Sequence, residues 1–123
     1  MAFPGTYNFN YYRGDTFQFI IRPKDGNGDT YPLDAYSVPP AGATFTIASA
    51  RGDDAEFTYT GTATVNPVDD IVTCVISAGT GRNLTPERTW YYDVQINDSS
   101  STNVFTLLTG TITVTDDITG AGV

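Results

Sequence analysis

The chain has no histidine, and that absence removes the most frequent general base, a member of most hydrolytic triads and the imidazole ligand favoured by transition metals. It has a single cysteine, Cys74, so no internal disulfide can form, and cysteine-rich zinc sites are excluded. Basic residues are also scarce: six Lys and Arg stand against fourteen Asp and Glu, a formal net charge of −8. Arg13, Arg22, Lys24, Arg51, Arg82 and Arg88 are scattered, so no basic stripe exists to neutralise phosphates and nucleic acid is not an expected partner. The same acidity works against anionic lipid surfaces, and no apolar run approaches the roughly 20 residues that span a bilayer. Met1-Ala-Phe-Pro-Gly5 has neither the basic start nor the apolar core of a secretion signal. The expectation is a soluble chain made in a reducing cytoplasm. Cys74 is expected to be a buried small hydrophobe within Ile71-Val-Thr-Cys-Val-Ile76.

What the chain does contain favours strands. Its 123 residues suit one domain, charged residues are only 16%, aromatics reach 13%, and twenty threonines supply β-branched side chains for half-exposed sheets. In Thr89-Trp-Tyr-Tyr-Asp-Val-Gln-Ile96, residues Trp90, Tyr92, Val94 and Ile96 fall on one face. In Val104 to Thr115, Leu108, Ile112 and Val114 oppose Thr109, Thr111, Thr113 and Thr115. The polar linker of residues 97–103 predicts that these two strands pair as an antiparallel hairpin. Phe17, Phe19 and Ile21 predict a strand ending at Pro23, followed by a Gly-rich hairpin turn over Lys24 to Asp29. Ala43, Phe45 and Ile47 predict another strand. Phe57–Tyr59 and Ala63–Val65 are expected as separate strands divided by Gly61, with Ile71–Ser77 following the Pro67–Asp70 turn. A helical turn is expected at Asn83–Arg88, with Thr85 capping and Pro86 at its first position. About seven short strands with regular turns predict an all-β fold, a single two-sheet antiparallel sandwich of the immunoglobulin-like kind. Residues 1–11 read as an N-terminal arm or first strand, residues 12–119 as the sandwich and residues 120–123 as a tail.

Few residues suggest chemistry. Asp53-Asp54, Asp69-Asp70 and Asp116-Asp117 read as solvated turns, since sequence neighbours at turns diverge. Asp25, Asn27 and Asp29 carry the alternating oxygen donors that open a calcium loop. The motif requires glycine at its sixth position and glutamate at its twelfth, where this chain has Thr30 and Tyr36, so neither a metal nor any other cofactor is expected. Arg-Gly-Asp occurs at 13–15 and 51–53, but the first copy runs directly into a strand. Asn83-Leu-Thr85 and Asn97-Asp-Ser99 match the glycosylation tripeptide and carry little meaning without a signal peptide. The aromatic segment is more informative. Phe3, Tyr7, Phe9, Tyr11 and Tyr12 read either as a first strand covering one end of the core or as an arm that docks on a neighbouring subunit. In the second case, deleting residues 1–11 should leave the fold intact and abolish assembly. A carbohydrate-binding module, the alternative from another class, would use Tyr11, Tyr12, Tyr31 or Tyr36 as stacking platforms.

Several segments together resemble the small immunoglobulin-like proteins of tailed bacteriophage virions. They are Tyr12-Arg-Gly-Asp-Thr-Phe-Gln-Phe-Ile-Ile-Arg-Pro-Lys-Asp-Gly-Asn-Gly28, Pro32-Leu-Asp-Ala35, Ala43-Thr-Phe-Thr-Ile47, Leu84, Trp90-Tyr-Tyr-Asp-Val-Gln-Ile96 and Leu107-Leu-Thr-Gly-Thr-Ile-Thr-Val-Thr115. The likeness is to the N-terminal domain of upper-baseplate proteins and to short structural proteins of cyanophages, over residues 12–119. It implies a virion structural protein without enzymatic activity, present in many copies on a symmetric assembly. The expected partners are other virion proteins. Baseplate proteins continue into fibre or receptor-binding segments, and no such residues follow Val123. The resemblance therefore points first to a head decoration or cement protein on the major capsid protein, and second to a tail, neck or baseplate adaptor.

Overall fold

Alternating apolar and polar side chains put every second residue on the same face of an extended chain. The computed structural model, which describes residues 5–24, 26–36, 41–52, 55–86, 88–98 and 104–116, resolves this pattern into eight strands. They are β1 (Gly5–Thr6), β2 (Phe9–Tyr12), β3 (Phe17–Ile21), β4 (Gly42–Ala48), β5 (Thr58–Asn66), β6 (Ile71–Ile76), β7 (Thr89–Asn97) and β8 (Val104–Thr115). One helical turn, α1 (Ala78–Gly81), and a 3-10 turn at Asp34–Tyr36 complete the described elements. The strands form one curled sheet in the order β1-β8-β7-β4-β5-β6-β3, with β2 continuing β1 along β8.

The curl runs through β5. Its first half, Thr58 to Gly61, pairs with β4, and its second half, Thr62 to Asn66, pairs with β6. The two halves of the sheet on either side of β5 therefore face each other: the Phe19 ring of β3 lies 5.5 Å from Phe45 of β4 and 6.0 Å from Tyr92 of β7. Ile21, Val72, Cys74 and Ile76 from one half join Phe45, Ile47, Val94, Ile96 and Ile112 from the other in a single buried cluster. The all-β expectation holds, but the two-sheet antiparallel arrangement needs correction. The hydrogen-bonded path is unbroken through β5, and β1 and β2 run parallel to β8, with Gly5 opposite Leu108 and Phe9 opposite Ile112.

Gly61 does not divide two strands. It lies inside β5 because the Phe45 ring packs where a side chain would stand; a Cβ at Gly61 would meet that ring at 2.4 Å. The β7–β8 hairpin forms as predicted, from Thr89 opposite Thr113 to Asn97 opposite Val104. Its register shifts between Val94 and Gln95, which face Leu108 and Thr106, so Leu107 is an extra residue on β8. This bulge turns Leu107 into the core beside the half-buried Leu108.

The helical turn forms earlier than Thr85 suggests. Ser77 caps it, its Oγ accepting from the Thr80 N–H at 3.2 Å, and the backbone closes through Gly81 N–H to Ser77 O and Arg82 N–H to Ala78 O. Thr85 instead offers its carbonyl to the indole N–H of the buried Trp90 at 2.9 Å. The expected Gly-rich hairpin reduces to a single antiparallel bridge, Lys24 with Thr30, closed by Tyr31 N–H to Pro23 O.

Candidate functional site

For the N-terminal aromatics the sequence leaves both a core-covering first strand and a docking arm open, and the structure divides them. Phe3 lies outside the described residues. Phe9 and Tyr11 point inward from β2, 8% and 1% exposed, and belong to the core. The arm reading is therefore corrected for these two residues: their rings complete the fold and offer no surface to a partner. Phe9 stacks on Phe17 of β3 at 4.7 Å and lies 5.6 Å from Phe19, while Tyr11 meets Phe17 edge-on at 6.2 Å. The two terminal strands of the sheet, β2 and β3, are thus joined by rings where no ladder of hydrogen bonds joins them among the described residues.

Further hydrogen bonds pin the segment. The Tyr7 N–H donates to Thr109 O, Asn8 Oδ1 accepts from the Thr111 N–H, and the Tyr92 hydroxyl donates to Tyr7 O. The Tyr11 hydroxyl donates to Asp15 O across the turn. Tyr7 and Tyr12 remain on the surface, 43% and 49% exposed. Tyr7 borders an apolar groove of about 350 Å³ with Phe19, Ile20, Ile21, Arg22 and Leu108 between β1 and β3. Ile20 is itself exposed. Alternation in β3 singled out Phe17, Phe19 and Ile21 and left Ile20 as an outward residue; its position beside Tyr7 follows only from the curl.

Of the other candidate motifs, several lie partly outside the described residues, at Asp25, Asp53, Asp54 and Asp117, and others become structural. Asp25 lies outside the described residues, and Asn27 and Asp29 sit on an exposed turn. No group of three His, Cys, Asp or Glu side chains able to hold a metal occurs among the described residues. In the first Arg-Gly-Asp, Arg13 donates to Arg82 O at 2.9 and 3.1 Å and lies 3.6 Å from Asp116, so its guanidinium faces the molecule. Asp70 holds the Leu33 N–H at 3.0 Å and so anchors a neighbouring loop. Of the tyrosines offered as sugar platforms, Tyr11 and Tyr36 are buried, and the Tyr36 and Tyr31 hydroxyls bond each other at 2.9 Å. Burial and that contact push the Tyr36 hydroxyl up to about 12.

A different cluster was missed. Arg51, read only as part of a tripeptide, folds over the outer face of β4 and β7, its guanidinium 5.2 Å from the Tyr91 ring centroid and bonded to Thr109 Oγ1 at 3.0 Å. Beside it Asp93, outward on β7 opposite Thr46, has its carboxyl pushed up by burial, with Arg51 pulling the other way. Arg51, Tyr91, Asp93, Thr46 and Thr58 line a cleft of about 300 Å³. Alternation alone puts Tyr91 and Asp93 on the face opposite Trp90 and Tyr92; the arrival of Arg51 there is a tertiary contact without a local signal.

No protein-family model and no curated protein matches the chain. Among solved structures, the NK cell receptor Nkp44, a triggering partner in natural cytotoxicity, is similar to this chain at 10% sequence identity with a TM-score of 0.44, over 93% of this chain and 100% of that one.

Proposed function

We propose that this chain is a non-enzymatic structural protein of a tailed-phage virion, an immunoglobulin-like sandwich that decorates or cements the head lattice by binding the major capsid protein. The observation that carries this reading is the strip of exposed apolar side chains, Tyr7 and Ile20, along the groove between β1 and β3, with Tyr12 exposed at the end of β2. Strand edges flanked by exposed rings and aliphatic groups suit a contact made by packing and main-chain pairing. The motif resemblance supplies the class of assembly. The immunoglobulin-like part rests on the way β5 divides its pairing between β4 and β6, so that two halves of the sheet face each other over one core. A lattice with many copies tolerates weak contacts at each one.

Cryo-electron microscopy of the particle that carries the chain tests the reading. The expected result is density on the capsid lattice with the Tyr7 and Ile20 strip against a neighbour. Density confined to the tail or neck would replace the decoration role with that of an adaptor, and absence from every particle would end the virion reading. Ile20→Thr and Tyr12→Ser alter exposed side chains only and are expected to lower occupancy at least tenfold while the isolated protein stays folded.

A further inference from the structure

The cleft over β4 and β7 presents a set of polar groups that the fold itself does not consume. Thr46 faces Asp93 and Ala48 faces Tyr91 across the β4–β7 ladder, which lines these side chains up on the outer face. Among the described residues, Thr46, Thr58, Tyr91 and Asp93 make no side-chain hydrogen bond, while Arg51 is held in place by Thr109 and Gly110 and by the Tyr91 ring. We infer that this cleft binds a neutral, polyhydroxylated ligand, a saccharide unit, through Asp93, Arg51, Tyr91 and the hydroxyls of Thr46 and Thr58.

Charge selects the class. An anion would meet the Asp93 carboxylate on a chain whose net charge is −8, and a cation would meet the Arg51 guanidinium. A hydroxyl group is both donor and acceptor, so adjacent sugar hydroxyls can donate to Asp93 and accept from Arg51 at the same time. Because the Asp93 carboxylate is partly withdrawn from water, a hydrogen bond donated to it gains over the same bond in solvent. Size agrees, since about 300 Å³ is the low end of the range for small-molecule sites. Arg51 covers the Tyr91 ring, so hydrogen bonds and not ring stacking carry recognition, and binding in an open, wet cleft of this kind is weak. The site is separate from the Tyr7 and Ile20 strip, and its occupancy does not depend on the virion role.

The test is a titration of the full-length, nitrogen-15-labelled chain, followed by amide chemical shifts, with glucose, galactose, mannose and N-acetylglucosamine, and with glycine as a zwitterionic control. At least one saccharide is expected to shift the amides of Thr46, Thr58, Tyr91 and Asp93 saturably. Asp93→Asn and Arg51→Gln should each weaken it at least tenfold, with the amide spectrum of both variants still that of the folded protein. Saturable shifts from none of the four sugars, or equal affinity in both variants, would overturn the proposal. Saturation of the same amides by glycine and by no sugar would overturn the assignment to a neutral ligand. Should Asp93→Asn fail to fold, Arg51→Gln gives the same discrimination, because its side chain lies on the surface.

Discussion

At the scale of single residues, Tyr92 does two things at once. Its ring is buried among Phe9, Phe19 and Phe45, at centroid distances of 5.3, 6.0 and 5.7 Å, and its hydroxyl reaches past β8 to the Tyr7 carbonyl. Removing only the oxygen separates the two roles. Tyr92→Phe should keep the ring packing and leave the Tyr7 carbonyl short of a donor, costing about 1 kcal/mol and lowering Tm by about 4 °C, which calorimetry would detect. An unchanged Tm would mean that water replaces the hydroxyl without loss. Cys74 is simpler. Fully buried on β6, its thiol is pushed up to about 12 by desolvation alone. The native state thus keeps its proton more tightly than the unfolded chain, whose thiol titrates near 9. The sign follows: stability falls as pH rises from about 9 toward about 12, and Cys74→Ala should flatten part of that decline in denaturant melts. Native protein should also resist iodoacetamide at pH 8 and label only in proportion to its transiently opened population. Rapid labelling under native conditions would contradict the burial.

At the scale of elements, the meeting of β1 and β2 with β8 depends on Gly110. A Cβ there would stand 2.0 Å from the Tyr7 carbonyl oxygen and 3.0 Å from Asn8 Oδ1, so the parallel pairing requires a residue without a side chain at this point. Gly110→Ala should lift the N-terminal segment from β8, destabilise the protein by about 1–3 kcal/mol and speed hydrogen exchange at the Tyr7 and Phe9 to Arg13 amides while the β4–β7 amides stay protected. Uniform loss of protection would mean that the segment and the rest of the sheet unfold as one.

These elements also mark what a sequence can and cannot tell. Alternation identified β3, β4, β7 and β8 because a half-buried strand repeats every two residues whatever its partner. The hairpin of β7 and β8 was legible because a short polar linker leaves one simple pairing. Gly61 misled, since its meaning lies in the Phe45 ring of the neighbouring strand and not in its own flanks. Ser77 misled too, because two glycines follow it in a helical turn that propensity disfavours. The pairing of the first strands with the last joins residues 103 positions apart, as in Asn8 and Thr111, and no local pattern encodes it. The cleft under Arg51 was hidden for the same reason, while the aromatic segment left a core-covering strand and a docking arm both open, and only tertiary contacts separate the buried Phe9 and Tyr11 from the exposed Tyr7 and Tyr12.

At the scale of the whole molecule, the N-terminal segment acts as the clasp that closes the curled sheet. An arm that serves only assembly can be removed without unfolding, and that is what an interface role for residues 1–11 predicts. The structure leads to the opposite expectation. Removing residues 1–12 takes Phe9 and Tyr11 out of the core, strips the parallel partner from β8 and opens Phe17 and Phe19 of β3 to water. Truncation of one buried aromatic side chain to alanine costs about 3–5 kcal/mol, and two of them together with the lost pairing approach the entire 5–15 kcal/mol that holds a domain folded. The truncated chain should therefore lose its near-ultraviolet circular dichroism and its cooperative thermal transition. Because the segment pairs with β8 through backbone bonds and a ring seam, a synthetic peptide of residues 1–13 added in excess should restore both signals, with a midpoint that depends on peptide concentration. A peptide with Phe9→Ser and Tyr11→Ser should fail to do so. A truncated chain that melts cooperatively within a few degrees of the intact protein would show that the sheet closes without its clasp, and would return the aromatic segment to the role of an arm.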